Sequence, residues 1–334
     1  MGTATPVRGR KIAMLHHSAA HSGSPGPTRD ACPPEPSRSG VSVNAVIRSD
    51  AEQSTLDEAF TLSGRGLHTG RAVTVRVSPA EAGTGIVFHR AWKGRTASVP
   101  ALWHLYETQP LCTALRGPDG TLVRTVEHLM ATFSAFGIDN ATVELDAEEL
   151  PIFDGSALPW CAAFSQAGRR PLAAARRRLS VRRTVEVRDG ERSLRIEPSD
   201  RFSIAGELAL AKFGAMRWQG EITRESFVSA LAPSRSFGRL KWAVPLKLYA
   251  YVTGRPVLRG ANFRTTAAIL GDRVIGGMRG ANEPVRHRIL DLVGDLALIG
   301  HPVLGHVTAR HTGHRLNHAL IAALLRDPTA WELV

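Results

Sequence analysis

The segment EPVRHRILDLVGDLALIGH (283–301) constrains the fold of this chain more than any other. Ile, Leu, Val and Ala recur through it at helical spacing, so it reads as an amphipathic helix with an apolar face to bury. Within it His287, Asp291 and Asp295 stand at i, i+4 and i+8 and form one column. An imidazole and two carboxylates beside a buried face are costly unless each finds a hydrogen-bond or metal partner. His287 and Asp291 can reach a common point, as imidazole and carboxylate ligands of a divalent metal do. A buried His–Asp hydrogen bond would satisfy the same pair, and the helix alone does not choose. Asp295 on the same column adds weight to a metal backed by a supporting carboxylate.

A catalytic metal of this kind needs a third protein ligand. TVEHLM (125–130) offers Glu127 beside His128 at the start of an apolar-periodic stretch. Thr132 stands where a zinc motif of the H-E-x-x-H type would place another His, so this segment supplies one imidazole at most. Taken alone, a Glu-His pair on an amphipathic helix is ordinary. Near the C-terminus His301, His306, His311, His314 and His318 crowd together. His314 and His318 are also at i, i+4 and form a rival ligand pair. Spacing establishes a metal-capable C-terminal half and leaves the choice of pair open.

The 334 residues suffice for two domains. Residues 1–50 are rich in Gly, Pro, Ser and His without hydrophobic period and are expected to be disordered. AVTVRVSPA (72–80) alternates as a half-buried strand should, and EAGTGIVFHR (81–90) supplies a turn and another strand. TVEHLMATFSAFGI (125–138) has helical spacing and ends at Gly137, a C-cap candidate. Ser156 is an N-cap candidate for the helix that follows. A second set of strands (RTVEVRDG, RSLRIEPS, FSIAGELAL) again precedes helices. Strand-then-helix segregation in both halves predicts an α+β fold with domains over 51–173 and 178–334, and argues against a doubly wound sheet.

No apolar run is long enough for a transmembrane helix, and the N-terminus lacks a continuous apolar core for a signal peptide, so a cytoplasmic protein is expected. Cys32, Cys112 and Cys161 form neither a disulfide framework nor a paired zinc motif and read as reduced thiols. The net charge of +12 suits nucleic acid, a membrane surface or anionic small molecules. The arginine run RRPLAAARRRLSVRR (169–183) carries no interleaved aromatics, so a solvated linker and surface strand are expected there. No nucleic-acid partner follows from it.

Six blocks occur in order: TLSGRGLHTGRAVTVRVSPAEAGTGIVFHR, LCTAL, TVEHLMATFSAFGIDNATVELDAEELPIFDGSA, SRSFG, VRHRILDLVGDLALIGHPVLG and TGHRLNHALIAALL. Together they resemble the UDP-3-O-acyl-N-acetylglucosamine deacetylases, the zinc amidases of lipid A biosynthesis in Gram-negative bacteria. The likeness runs from about Gln53 to Leu325. It implies two similar α+β domains, helix layers sandwiched between their sheets, and an active site at the junction. It implies one zinc ion per chain on His128, His287 and Asp291, with Glu127 as the general base. His314 would assist the leaving amine, with Asp295 as an orienting carboxylate behind it or the metal. Ser236 would share the developing oxyanion, and Phe237, Arg288 and His68 would lie along the substrate. An insert near 242–258 would form an acyl channel.

The implied substrate is a UDP-linked acylated amino sugar from which acetate is released. A monomer is expected, and the basic balance suits peripheral membrane contact. The chain departs from the family pattern in places. Arg288 replaces the usual Lys after the ligand His, Ser236 stands where relatives often have Thr, and His311-Thr312 replaces Lys-Ser. None removes a ligand or the base. They leave room for a paralogue acting on another N-acetylated nucleotide sugar or glycolipid, or for a zinc-binding protein of this fold without turnover.

Overall fold

The computed structural model describes residues 51–92 and 94–334; the disorder expected over 1–50, and Cys32, fall outside them. Alternation is obeyed where the sequence is clearest. In Ala72–Pro79 the side chains of Val73, Val75 and Val77 are buried while Ala72, Thr74 and Arg76 face water. This strand belongs to a five-stranded sheet ordered Phe60–Arg65, Ala72–Pro79, Ala141–Leu145, Ile86–Trp92, Arg95–Pro100. Only the pairing of Ala141–Leu145 with Ile86–Trp92 is parallel.

Two helices follow in this half, α1 (Glu127–Phe136) and α2 (Leu158–Ala167). Gly137 caps α1 as expected, at φ 65°, with its N–H on the carbonyls of Phe133 and Ser134. Ser156 does not cap α2; Ala157 holds that position. The Ser156 hydroxyl, one position earlier, donates to Asp154 Oδ1 at 2.8 Å, which ties down the Asp-Gly turn just before it, and accepts the N–H of Leu158, the first helical residue, at 3.3 Å. The arginine run is more structured than a linker. Arg169–Ala175 pairs antiparallel with Glu52–Leu56, and Arg176 Nε meets Asp139 Oδ1 at 2.8 Å. Only 176–178 then separate that strand from the next, Leu179–Val181.

The second large sheet has seven strands. Val185–Asp189, Arg192–Glu197, Val303–Arg310, Leu179–Val181 and Trp331–Leu333 lie in that order, and the hairpin Phe202–Leu210/Gly214–Glu221 joins through Val303–Arg310. Three helices longer than ten residues accompany it: α3 (Leu240–Val252), α4 (Glu283–Ala297) and α5 (His314–Arg326). α4 packs on Phe202–Leu210, and α5 on Val185–Asp189 and Arg192–Glu197. A small sheet of Phe237–Arg239, Ala267–Leu270 and Arg273–Val274 brackets α3. Another, Tyr106–Gln109, Cys112–Arg116 and Leu122–Arg124, leads into α1.

One contiguous apolar core joins the two large sheets through the helices. It includes Val75 and Phe88, Leu129 and Phe133 of α1, Leu290 and Val293 of α4, and Ile204 and Val307. The closest helix pair is α1 with α4. Its tightest point is Gly294, where a Cβ would fall 2.0 Å from the carbonyl oxygen of Glu127. A glycine in mid-helix costs about 1 kcal/mol relative to Ala. Here it lets the first turn of α1 lie directly on α4.

Candidate active site

That contact decides what the column on α4 meets. α1 begins at Glu127, so Glu127 and His128 sit on its first turn, over the middle of α4. His128, His287 and Asp291 are buried, and one ligand atom from each lies within 4.8 Å of the others. His287 Nε2 is 3.4 Å, and His128 Nε2 3.7 Å, from Asp291 Oδ1. The other nitrogen of His287, Nδ1, is 3.2 Å from the carbonyl of Ser234. A carbonyl only accepts, so Nδ1 carries the proton and the lone pair of Nε2 faces the cluster. Two imidazoles and a carboxylate, one imidazole oriented from behind, fit a divalent metal with a position left open.

Ser234 is held in place by an ion pair between its neighbour Arg235 and Glu283, 48 positions away. Arg235 donates from its backbone N and Nε to Glu283 Oε1, at 3.0 and 2.8 Å, and from Nη2 to Oε2 at 3.0 Å. This fastens the SRSFG loop to the first turn of α4. Ser236 is tied by its backbone to Gly155 and Ala267. Phe237 stands edge-on to His287 with ring centres 6.0 Å apart. The Arg288 guanidinium lies over the Phe237 ring at 5.1 Å, with Nη1 3.9 Å from Asp291 Oδ2.

Behind the cluster lies a second polar group. Asp295 is wholly buried, and it is not among the three clustered donors. Its Oδ2 accepts from His314 Nδ1 at 2.9 Å and from Asn317 Nδ2 at 2.7 Å, and its Oδ1 accepts from the Thr113 hydroxyl. His314 thereby turns Nε2 toward Glu127 Oε1 and Asp291 Oδ2, each at 3.9 Å. Thr113 also donates its backbone N–H to Glu127 Oε2 at 3.1 Å. In the sequence Thr113 is only the middle of LCTAL, with no local sign of either contact. His318 is not the partner of His314 in a ligand pair. Its ring stacks on Tyr106 at 3.4 Å between centres, and its Nε2 lies 3.5 Å from Asp295 Oδ1.

Charge states follow from these surroundings. Burial pushes Glu127 up to about 7, against the pull of His314 and His128. Burial lowers His287 to about 4 despite Asp291, so it is neutral at neutral pH. Burial alone would raise Asp291, but His287, His128 and His314 hold it well below the usual carboxylate range. His314 is raised to about 10, because Asp295 outweighs the burial that would lower it. Asp295 is held far down against burial by His314 and His318.

His68 comes to the same region from the first sheet's edge. Its backbone N–H is bound by Glu149 Oε1 at 2.7 Å, and Glu149 also takes Thr69 N and the Thr125 hydroxyl, at 2.7 and 3.1 Å. Burial lowers its proton affinity, and His314 is among the charges acting on it. Its Nε2 is buried without a hydrogen-bond partner.

A buried two-His, one-Asp cluster with a further carboxylate beside it suits a metal-dependent hydrolase. Residues 53–326 match the family model described as UDP-3-O-acyl N-acetylglycosamine deacetylase, LpxC. The chain belongs to that family. It is 40% identical to the UDP-3-O-acyl-N-acetylglucosamine deacetylase of Citrifermentans bemidjiense over 84% of this chain and 92% of that protein. The enzyme of the same name from Syntrophotalea carbinolica is 38% identical over 84% of this chain and 90% of its own length. That of Myxococcus xanthus is 38% identical over 86% and 90%.

Proposed function

We propose that this chain hydrolyses the N-acetyl group of a UDP-3-O-(3-hydroxyacyl)-N-acetylglucosamine, releasing acetate and a free amine for lipid A assembly. The observation that carries the reading is the meeting of His128, His287 and Asp291 beside Glu127. We assign one zinc ion to those three residues. When bound there, zinc would supply Lewis-acid polarisation of the amide carbonyl and acidification of water.

The chain's own groups supply the proton transfers. Glu127, raised to about 7, is unprotonated often enough near neutrality to accept the proton of the attacking water. The Thr113 N–H fixes its Oε2 and leaves Oε1 toward His314. His314, kept charged by Asp295, faces the site with its Nε2 and opposes the negative charge that develops on the carbonyl oxygen. Water oxygen bonds to the acetyl carbon, the C–N bond breaks, and the amine nitrogen gains a proton from this pair. Ser236 is assigned to the same oxyanion. Phe237, Arg288 and the unpartnered Nε2 of His68 are assigned to the substrate. An apolar groove lined by Leu240, Ala243, Val244, Leu258, Ala261 and Phe263 suits the acyl chain, and it is formed by the insert near 242–258 together with residues on either side of it.

We further read residues 51–173 and 178–334 as two α+β domains, with the helices between their sheets and the site at the junction. The separate origin of the ligands supports this, since α1 supplies one and α4 two. A monomer acting in the cytoplasm accompanies the reading. Arg288 favours one alternative: its planar fork over Phe237 replaces a point charge, which suits a paralogue with a different acetylated sugar. Acetate release by metal-defined protein tests both. Release from UDP-3-O-acyl-GlcNAc, lost in Glu127→Ala and His314→Ala, supports the main reading. No release at one zinc per chain sinks it, and release from other acetylated sugars alone selects the paralogue. Asp291→Ala should lose zinc and His318→Ala should keep it.

A further inference from the structure

Helix α3 is apolar around most of its circumference but is covered on one side only. Toward the protein it turns Leu240, Ala243, Leu246 and Ala250, of which Ala250 alone is fully buried. Away from it stand Trp242, Val244, Leu248, Tyr249, Tyr251 and Val252, with Tyr251 80% and Val252 76% exposed. A helix apolar all round is ordinarily buried on every side, and a contiguous exposed apolar patch marks an interaction surface.

The charge around this face indicates the partner. From Ser226 to Gly271 there is no Asp or Glu, while Arg239, Lys241, Lys247, Arg255, Arg259 and Arg264 fall in that span. The Lys241 ammonium lies 5.2 Å from the Trp242 ring centre, and the Arg255 guanidinium 5.8 Å from that of Tyr249. Cationic heads directly beside Trp and Tyr rings are the arrangement of a bilayer interface. The rings sit at headgroup level, and the cations meet anionic phosphates. The centre of a protein–protein interface is instead depleted in Lys. No described helix is long and apolar enough to cross a membrane, so contact through this face is peripheral.

We propose that α3 is a docking surface for an anionic phospholipid bilayer. It lies along the surface with Trp242, Leu248, Tyr249, Tyr251 and Val252 at the boundary of headgroups and acyl chains. Val244 belongs both to this face and to the lining of the apolar groove, so the groove borders the docked surface. The proposal requires neither the metal nor turnover.

Co-sedimentation of the full chain with vesicles tests it. The probes are phosphatidylcholine alone and phosphatidylcholine with about one-third phosphatidylglycerol. The chain is expected to bind the anionic vesicles and not the neutral ones, and binding should weaken as salt rises from about 0.05 to about 0.5 M. Trp242→Ser combined with Tyr251→Ser should lower the partition about tenfold or more, with an unchanged thermal melt. Brominated lipid should quench tryptophan emission in the parent chain, and Trp242→Phe should lose that quenching. Equal partition of the double variant and the parent would overturn the proposal, since net charge alone would then explain binding. Binding to neither vesicle, or equally to both, overturns it too. So does self-association that requires Trp242 without vesicle binding, which would show that a second copy covers the face.

Discussion

Replacing Gly294 by Ala separates helix propensity from the approach of α1 to α4. In an isolated helix the change stabilises by about 1 kcal/mol. In this fold the new Cβ would stand 2.0 Å from the Glu127 carbonyl oxygen, 2.8 Å from its carbon and 3.0 Å from its Cα. These are backbone atoms at the start of a helix, so no rotamer change relieves the overlap. Overpacking of a core costs about 1–3 kcal/mol, and a rigid backbone contact belongs at the upper end. The net expectation is a loss of about 2 kcal/mol, or roughly 4–8 °C in Tm at the scale of domains of 150–250 residues. Relief requires α1 to retreat by about 1 Å, carrying Glu127 and His128 away from His287 and Asp291. A displacement of that size costs on the order of 10²-fold in rate. Calorimetry of the metal-free chain and a competitive zinc titration measure the two effects. A variant that melts at or above the parent and holds zinc as tightly would refute the claim that this glycine sets the site.

Glu127→Gln keeps the shape and the acceptor for the Thr113 N–H but removes the base; acetate release should fall about 10²–10⁴-fold while zinc stoichiometry holds. The pH profile of kcat/KM should be a bell that rises as Glu127 deprotonates and falls as His314 deprotonates, groups that stand at about 7 and about 10 in the metal-free chain. A bound cation favours the carboxylate and disfavours the imidazolium, so both limbs of the zinc-loaded enzyme should lie below those values. Asp295→Asn removes the charge that holds the His314 proton, and should move the descending limb to lower pH; an unmoved limb would contradict the assignment. The linkage sign is definite for stability. His314 is raised in the fold, so its contribution is fully present below its unfolded value of 6.5 and is lost as pH rises through about 10. Melts of metal-free protein from pH 6 to 11 read this directly. Chelation should destabilise the chain, by about 2.7 kcal/mol if free metal had stood at a hundred times its Kd. A chelator-insensitive melt would argue against a metal on these three residues.

The α4 column could be read from sequence because helical periodicity is local: His287, Asp291 and Asp295 share a face whatever surrounds them. The alternation of Ala72–Pro79 and the Gly137 cap were legible for the same reason. The arginine run was harder, since nothing in its composition shows that Glu52–Leu56 would pair with it. Ser156 falls one position before the N-cap, a shift that composition does not show, and its hydroxyl is shared between Asp154 and the Leu158 N–H. Thr113, Arg235, Asn317 and Glu149 carry no local signal because each acts through a residue far away in the chain. Thr113 bridges to Asp295 across 182 positions. Gly294, alone in an otherwise rich helix, carried a legible sign of close approach but not the identity of what approaches.

The choice between the two histidine pairs marks the boundary most clearly. By itself the sequence determined that His287–Asp291 and His314–His318 were each spaced for a shared ligand, because i, i+4 geometry depends only on the helix. The crossing of α1 over α4 decided that His128 joins the first pair. The stacking of His318 on Tyr106 and its approach to Asp295 decided that the second serves behind it. Distances between helices depend on side-chain volumes and backbone approach at remote positions, and no spacing within one segment encodes them.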